Sequence, residues 1–370
     1  MHQSELLIMK MINLAEYIEE IEPVQLSYGQ KARAREDILT KPRGSLGRLE
    51  ELAVDIASMK RQEVPQLKRK MIFTFAGDHG VVDEGVSAFP QEVTPQMVYN
   101  FINNGAAINV LARQAGAEMV IADLGIAADM DIRHPNFRDR KINAGTNNFT
   151  KGPAMTREES IKAITAGIEI FEEEHIKEPI DLVGIGEMGI GNTTPATAIL
   201  AVISGENIES IVGRGTGIDD DGVIRKITAI KKAIAVNQPC KDDGLDVLQK
   251  LGGYEIGGLA GVVLAAARHR VPVLIDGFIS TAAALIARLL NPVVCQYILA
   301  SHRSEERGHD KMLEILNKKP ILDLGMRLGE GTGAALAMHI VEAAVRIIDE
   351  MATFESAGVT LPPAARGGAF

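Results

Sequence analysis

A repeated alternation of short apolar runs and longer amphipathic segments, which begins near residue 71, constrains the fold most strongly. Four of the five apolar runs are followed within two residues by glycine and then by a segment long enough to form a helix. Strands of this length that alternate with helices are typical of a parallel sheet covered by helices, so we predict an α/β fold. The predicted strands are Met71–Ala76, Met119–Asp123, Leu182–Ile185, Val271–Ile275 and Val293–Leu299.

Helices are expected in the segments that connect these strands and at both ends of the chain. The N-terminal 65 residues have apolar side chains at helical spacing, and the last long helix carries Ile340, Val341, Ala344, Val345 and Ile348 on one face. Between the strands, helices are predicted near 94–115, 156–175, 194–203, 222–235, 255–268 and 277–290.

The charge and composition of the 370-residue chain exclude several classes of protein. A net charge of -10 would repel nucleic-acid phosphates. The two cysteines, Cys240 and Cys295, lack the spacing of a zinc site or a disulfide framework. The N-terminus has no apolar core typical of a signal peptide, and the longest apolar stretches, 259–267 and 282–290, are too short to span a bilayer. We therefore expect a cytoplasmic protein with no nucleic-acid or membrane partner.

Asp78 and His79 stand between two glycines, directly after the first predicted strand. Such a pair can bind a metal or exchange protons, or it can simply order a turn in which Asp78 caps backbone amides. No further histidine or carboxylate stands at metal-ligand spacing nearby, so a positional role is favoured and no metal site is predicted.

A glycine-rich turn follows the third predicted strand, with the sequence Gly184-Ile-Gly-Glu-Met-Gly-Ile-Gly-Asn-Thr-Thr-Pro195. Glycines allow a ligand to approach the backbone, and the free N–H groups at a helix start favour an anion such as phosphate. Thr194 and Pro195 are expected as the N-cap and the first helical residue. The P-loop pattern is absent, and the G-x-G-x-x-G spacing of Gly184, Gly186 and Gly189 begins inside the predicted strand instead of directly after it. Glu187 is not needed for folding here, which indicates a chemical task.

Glu330 lies between two glycines at the start of the last long helix, where its carboxylate would be accessible from a ligand cavity. A glutamate at this position can also simply complement the helix dipole. Two glycine-flanked glutamates near helix starts favour catalysis, with one as general base and the other positioning the substrate. The acids of 219–221 are expected to cap the next helix, from which Lys226 would reach a phosphate.

Two other enzyme classes are disfavoured. Ser301 and His302 lack the G-x-S-x-G turn of a serine hydrolase. A dinucleotide-dependent dehydrogenase requires G-x-G-x-x-G directly after a strand, whereas the spacing at Gly184–Gly189 begins within the predicted strand Leu182–Ile185.

Several long segments, in this order, resemble the nicotinate-nucleotide:dimethylbenzimidazole phosphoribosyltransferase family. They are KPRGSLGRLEELA (41–53), the AGDHGV and DEGVSAFP run (76–90), GEMGIGNTTPA (186–196), NQPCKDDGLDVLQKLGG (237–253), GLAGVVLAAARHRVPVLIDGF (258–278), SHRSEERG (301–308) and MRLGEGTGAALAMHIVEAA (326–344).

This resemblance implies a Rossmann-like parallel sheet with helices on both faces, plus a small helical domain built from both chain ends. On that basis, residues 1–65 and 311–370 would contribute to the small domain and 66–310 would form the large one. It also implies a homodimer. Members act on small molecules, nicotinate mononucleotide and an aromatic base. In the family's reaction, the ribose phosphate of nicotinate mononucleotide is transferred to the aromatic base. No pyrophosphate leaves, so no magnesium-binding loop or other cofactor is expected.

The resemblance also implies roles for particular residues. Glu330 matches the family's catalytic base and Glu187 its second active-site glutamate. By the same match, the nucleotide site would be lined by Gly189, Gly191, Asn192 and Thr193, with Lys226 near the phosphate, and the base pocket would lie partly around Phe89 and Met97. Asp78, His79 and Leu328 are further expected substrate-binding residues. Phe89 and Met97 are bulkier and more apolar than expected for a benzimidazole pocket. A phenol or p-cresol acceptor, used by a heterodimer of paralogous chains, is therefore the alternative.

Overall fold

The computed structural model describes residues 12–360 and contains a six-stranded parallel sheet with the order β3-β2-β1-β4-β5-β6. A second sheet pairs two short strands, β7 and β8, in parallel. The strands are β1 (Lys70–Gly77), β2 (Ala117–Gly125), β3 (Phe137–Asp139), β4 (Leu182–Met188), β5 (Val273–Ile275), β6 (Ile298–Ala300), β7 (His302–Ser304) and β8 (Leu322–Met326).

Helices and two 3₁₀ segments connect the strands. The α-helices are α1 (Leu14–Glu19), α2 (Leu26–Glu36), α3 (Arg48–Lys60), α4 (Val93–Ile102), α5 (Ala107–Ala115), α6 (Arg157–Lys177), α7 (Thr193–Ser204), α8 (Ile208–Ile211), α9 (Asp220–Asn237), α10 (Gly244–Leu251), α11 (Tyr254–Arg268), α12 (Phe278–Leu290), α13 (His309–Leu316) and α14 (Thr332–Glu350). The 3₁₀ segments are Gly80–Glu84 and Pro292–Tyr297.

The central strand β1 is buried along its whole length because helices cover both faces of the sheet. On one face, Gly258 of α11 lies against Phe75. On the other face, Ala334 and Met338 of α14 lie against Gly184 of β4. Close contacts of this kind require small residues, and they explain the glycines in a helix and in a strand. The predicted α/β fold, with helices on both faces, is confirmed.

The strand order reverses between β1 and β4, which are neighbours in the sheet but not in sequence. The chain continues from β1 to β2 and β3 on one side, and then crosses to β4, β5 and β6 on the other. In open parallel sheets, ligands bind in the crevice beyond the carboxyl ends of the strands at such a reversal. The turns after β1 and β4 therefore border the expected binding crevice.

Most of the predicted strands are observed, but Val293–Leu299 is wrong. Pro292–Tyr297 forms a 3₁₀ turn, and only Ile298–Ala300 pairs in the sheet. The Asn291 side chain accepts a hydrogen bond from the Val293 amide at 2.9 Å, and Pro292 follows at the start of the turn. This capped turn outweighs the β propensity of the two valines.

The predicted helix at 94–115 is in fact two helices, α4 and α5. The chain turns between them, and Asn104 has a positive φ of 60° that no α-helix accommodates. The helix after β4 also begins earlier than expected, since its N-cap is Asn192 and not Thr194. The expected capping of α9 is confirmed, because Asp219 accepts a hydrogen bond from the Gly222 amide at 2.8 Å.

The described residues divide into two compact units, the larger formed by residues 12–22 and 69–338 and the smaller by 23–68 and 339–360. In the smaller unit, buried Lys41 lies 3.1 Å from Glu36 and 2.8 Å from Glu50. In this division 311–338 falls in the larger unit; the domain boundaries expected from the sequence stay a prediction. The expectations for the N-terminal eleven residues and for the last ten residues of the expected small domain lie outside the described residues. Between residues 12 and 360, no helix is long and apolar enough to cross a membrane.

Candidate active site

Three turns meet at the reversal point of the sheet: the turn after β1, the glycine-rich turn after β4, and the turn Gly329–Gly331 that precedes α14. A Cβ on Gly189 would lie 2.4 Å from the Gly77 carbonyl oxygen. A Cβ on Gly186 would lie 2.2 Å from the Glu330 carbonyl carbon. The sequence therefore uses glycines to bring these three backbones together, and Glu187 and Glu330 belong to one site.

The turn that carries Glu330 has a left-handed backbone at three consecutive residues. The φ angles of Gly329, Glu330 and Gly331 are +88°, +66° and +99°. Glycine adopts such angles freely, but a glutamate at +66° is strained. The Thr74 hydroxyl of β1 donates a hydrogen bond to the Glu330 carbonyl oxygen at 2.9 Å, which helps to hold the turn against the sheet.

The Glu330 carboxyl group is buried, with 5% of the residue exposed, and its accessibility from a ligand cavity stays a prediction. The Ile108 amide at the start of α5 donates a hydrogen bond to the carboxyl group, and Oε2 has no partner among the described residues. Burial is the main cause that raises the pKa of Glu330 to about 7, and the nearby charge of Asp276 contributes to the same rise. A carboxylate with a pKa near neutral pH is matched to proton abstraction.

Glu187 is also buried, and its environment differs from that of Glu330. The Asn192 side-chain amide donates a hydrogen bond to Glu187 Oε2. Burial raises the pKa of Glu187 to about 8. The Asn192 hydrogen bond acts against this rise, and the charges of Glu255, Asp276 and Glu330 contribute to it. At neutral pH Glu187 is therefore mostly protonated, whereas Glu330 is about half ionised. Two carboxyl groups whose pKa values differ in this way can take different roles.

A buried cation, Lys226 of α9, lies beside this site and contacts the start of α7. Lys226 has no exposed surface, and its ammonium group donates to the Thr193 hydroxyl at 2.6 Å and to the Gly213 carbonyl at 3.4 Å. Burial lowers the pKa of Lys226 to about 8. Gly213 also lines a cavity of about 570 Å³, whose charged lining consists of the arginines Arg214, Arg307 and Arg327 and the acids Asp220, Glu305 and Glu306. Positive charge and helix-start amides in one place suit an anionic group.

Asp78 and His79 lie at the crevice but are engaged in local contacts. Asp78 Oδ2 accepts a hydrogen bond from the Ala127 amide at 2.8 Å, which is the amide capping expected from the sequence. His79 Nε2 lies 2.7 Å from a carboxylate oxygen of Glu255, and both side chains are buried. These contacts fix the turn after β1.

Three of the predicted substrate-binding residues are more exposed to solvent than Glu187 and Glu330. Phe89 is 50% exposed and Leu328 57% exposed. Met97 lies on α4 and is half-buried. The structure therefore does not gather these three residues into the buried part of the site.

Two buried carboxylates at this edge were not predicted. Asp276 follows β5 and accepts hydrogen bonds from three backbone amides around Glu330, and Glu255 pairs with His79 at the start of α11. The available signals were an Asp-Gly pair directly after a strand, and a glutamate directly after Gly252, Gly253 and Tyr254. Both signals are weak, since turns and helix starts use the same residues.

A family model described as Phosphoribosyltransferase matches residues 21–359. A nicotinate-nucleotide–dimethylbenzimidazole phosphoribosyltransferase from Desulforamulus reducens is 55% identical over 348 residues, covering 94% of this chain and 99% of the relative. The chain belongs to this phosphoribosyltransferase family. Its resemblance to the family, predicted from the sequence, is confirmed, and the chain is a transferase.

Two further members of the family support this assignment. An enzyme of the same name from Geobacter sulfurreducens is 54% identical over 346 residues, covering 94% of this chain and 98% of the relative. The crystal structure of the enzyme of that name from Thermus thermophilus has a TM-score of 0.86 at 42% identity, covering 91% of this chain and 100% of the other. The fold of the family is thus shared along nearly the whole chain.

Proposed function

We propose that this phosphoribosyltransferase transfers the 5-phosphoribosyl group of nicotinate mononucleotide to 5,6-dimethylbenzimidazole or a related aromatic base. The products would be α-ribazole 5′-phosphate and nicotinate, in the assembly of the nucleotide loop of cobamides. The names of its relatives support the substrates. The observation that carries the mechanism is a buried carboxylate, Glu330, with one oxygen free of partners among the described residues and a pKa of about 7.

In the proposed reaction, a benzimidazole nitrogen attacks C1′ of the ribose while the bond from C1′ to the pyridine nitrogen breaks. Nicotinate departs with the bonding electron pair, and because its nitrogen was cationic in the nucleotide, no general acid is needed. The attacking base gains positive charge, and Glu330 removes the proton from its other nitrogen. Attack opposite the leaving group inverts the anomeric carbon from β to α.

The phosphate of the nucleotide would bind at the start of α7. Thr193 and Lys226 meet there, and the adjacent cavity holds Arg214 and Arg327. Gly189 and Gly191 allow the ribose to approach the backbone. Glu187, mostly protonated at neutral pH, would position the nucleotide through a hydrogen bond without adding a negative charge that repels the phosphate.

Glu330→Gln tests the role of the base. The variant keeps the size of the side chain but cannot accept a proton, so we expect kcat to fall by about 10²- to 10⁴-fold. Binding of nicotinate mononucleotide, measured by calorimetry, should persist. Glu314→Gln, on the exposed surface of α13, is the matched control and should keep full activity. Wild-type turnover by Glu330→Gln would reject the proposal.

The acceptor is identified by incubating the enzyme and nicotinate mononucleotide with a panel of benzimidazoles, phenol and p-cresol. We expect an N-linked α-riboside with the benzimidazoles, established by mass spectrometry and NMR. An O-linked product formed only with phenolic acceptors would assign the alternative. We also propose that the enzyme acts in the cytoplasm as a homodimer, which light scattering can test.

A further inference from the structure

The Asp276 side chain holds the turn that carries Glu330. Asp276 is fully buried directly after β5. Its Oδ2 accepts a hydrogen bond from the Gly331 amide at 3.0 Å, and its Oδ1 accepts from Gly333 at 2.7 Å and Ala334 at 3.2 Å. One carboxylate thus binds three amides that follow the glutamate in sequence.

Among the residues that the structure describes, no positively charged histidine pairs with the Asp276 carboxylate. His302 Nδ1 lies 3.6 Å from Asp276 Oδ1, but burial lowers the pKa of His302 to about 4, so the imidazole is neutral at physiological pH. Burial raises the pKa of Asp276 to about 7, and the hydrogen bonds from the three N–H donors at the start of α14 favour its ionised form against that burial. These donors tie the turn to the end of β5, while Thr74 ties it to β1.

We propose that Asp276 is a positioning residue for the transfer reaction: it fixes the left-handed Gly329–Gly331 turn, and thereby the place of the Glu330 carboxylate relative to the attacking base. This inference rests on the proposed role of Glu330. Because the charge of Asp276 also acts on Glu330, its loss has a consequence that loss of packing alone does not have.

Two substitutions separate position from charge. Asp276→Asn keeps the shape but replaces one acceptor oxygen by an NH₂ group that faces an amide N–H, and it removes the negative charge. Asp276→Glu keeps the charge but lengthens the side chain by one methylene in a packed site, which moves the turn. Asp123→Asn is the matched control, because Asp123 is also buried near the end of a strand and accepts a backbone amide, that of Ile126, at 2.8 Å.

Each variant is compared with wild type by thermal unfolding, by kcat and KM with nicotinate mononucleotide and dimethylbenzimidazole, and by the pH dependence of kcat/KM. A misplacement of about 1 Å can cost about 10²-fold in rate, so both Asp276 variants should lose roughly that factor in kcat. KM for the nucleotide should stay within about threefold. In Asp276→Asn alone, the acid limb of the pH profile should move to lower pH, since Glu330 loses a neighbouring negative charge.

Wild-type kcat and an unshifted acid limb in folded Asp276→Asn would overturn the inference, even if Glu330→Gln is inactive. Equal losses in Asp276→Asn and Asp123→Asn, with no change in the pH profile, would also overturn it, because they would indicate general destabilisation. Should Asp276→Asn not fold, Asp276→Glu decides by its kcat. Full turnover by Glu330→Gln would instead refute the proposed function itself.

Discussion

A methyl group added at Gly186 should displace the catalytic turn, whereas one added at Gly184 should not. The two glycines are two residues apart on β4 and so face the same side of the sheet. A Cβ at Gly186 would lie 2.2 Å from backbone atoms of Glu330 and Gly331. A Cβ at Gly184 would lie 3.1 Å from the ends of the Ala334 and Met338 side chains, of which the methionine is flexible.

The size of the effect follows from these distances. An ordinary contact begins near 3.4 Å, so in Gly186→Ala the backbone of the turn must move by about 1.2 Å. A displacement of about 1 Å at a catalytic group can reduce the rate by about 10²-fold. We expect kcat to fall by about that factor in Gly186→Ala. Gly184→Ala needs a shift of only a few tenths of an ångström and should stay within about threefold of wild type.

The assay is steady-state turnover of nicotinate mononucleotide with dimethylbenzimidazole, on protein whose folding is verified by thermal unfolding. A folded Gly186→Ala enzyme with wild-type kcat would refute the reasoning, because the Glu330 turn would then tolerate displacement. An equal loss in the Gly184→Ala control would also refute it, since the effect would not depend on the turn.

Three further predictions concern the buried charges. The free energy of unfolding should fall as the pH rises from about 4.5 through about 8, because the fold raises the pKa of Glu187 and disfavours its ionised form. Glu187→Gln should weaken this fall in thermal melts taken at several pH values. Lys226→Met should raise KM for nicotinate mononucleotide about tenfold or more, while Lys231→Met, exposed on the same helix, should leave it unchanged in the same assay. Lys41→Met should destabilise the smaller unit by about 3–5 kcal/mol in urea unfolding, because buried Glu36 loses the cation beside it and buried Glu50 keeps only its pair with Arg33.

The parts of the fold that depend on local pattern could be predicted from the sequence. The apolar run Met71–Ala76 predicted a strand, which the structure shows as β1 with both of its faces buried. Glu187 and Glu330 could be found because each stands among glycines at a helix start, where folding alone needs no carboxylate. The pattern could not show that Val293 lies in a capped turn, since its β propensity points to a strand and the deciding contact comes from Asn291.

Contacts between distant segments account for the rest. Asp276 binds the amide of Gly333, which lies 57 residues later in the chain, so nothing in its own neighbourhood marks it. Lys226 belongs to a helix with other basic residues, and such a pattern is typical of a face exposed to solvent. In the structure its ammonium group instead donates a hydrogen bond to Thr193 of another helix. The burial of Glu330 likewise depends on α5, whose Ile108 amide reaches its carboxyl group.

In the proposed reaction, Glu330 takes a proton from the attacking heterocycle. The most direct test compares wild type with Glu330→Gln on two acceptors: dimethylbenzimidazole, and the same ring with a methyl group on its second nitrogen, which has no proton to give. We predict a wild-type to variant ratio of kcat of about 10²–10⁴ for the first acceptor. For the methylated acceptor the ratio should be close to one. A ratio that is equally large for both acceptors would contradict proton removal by Glu330.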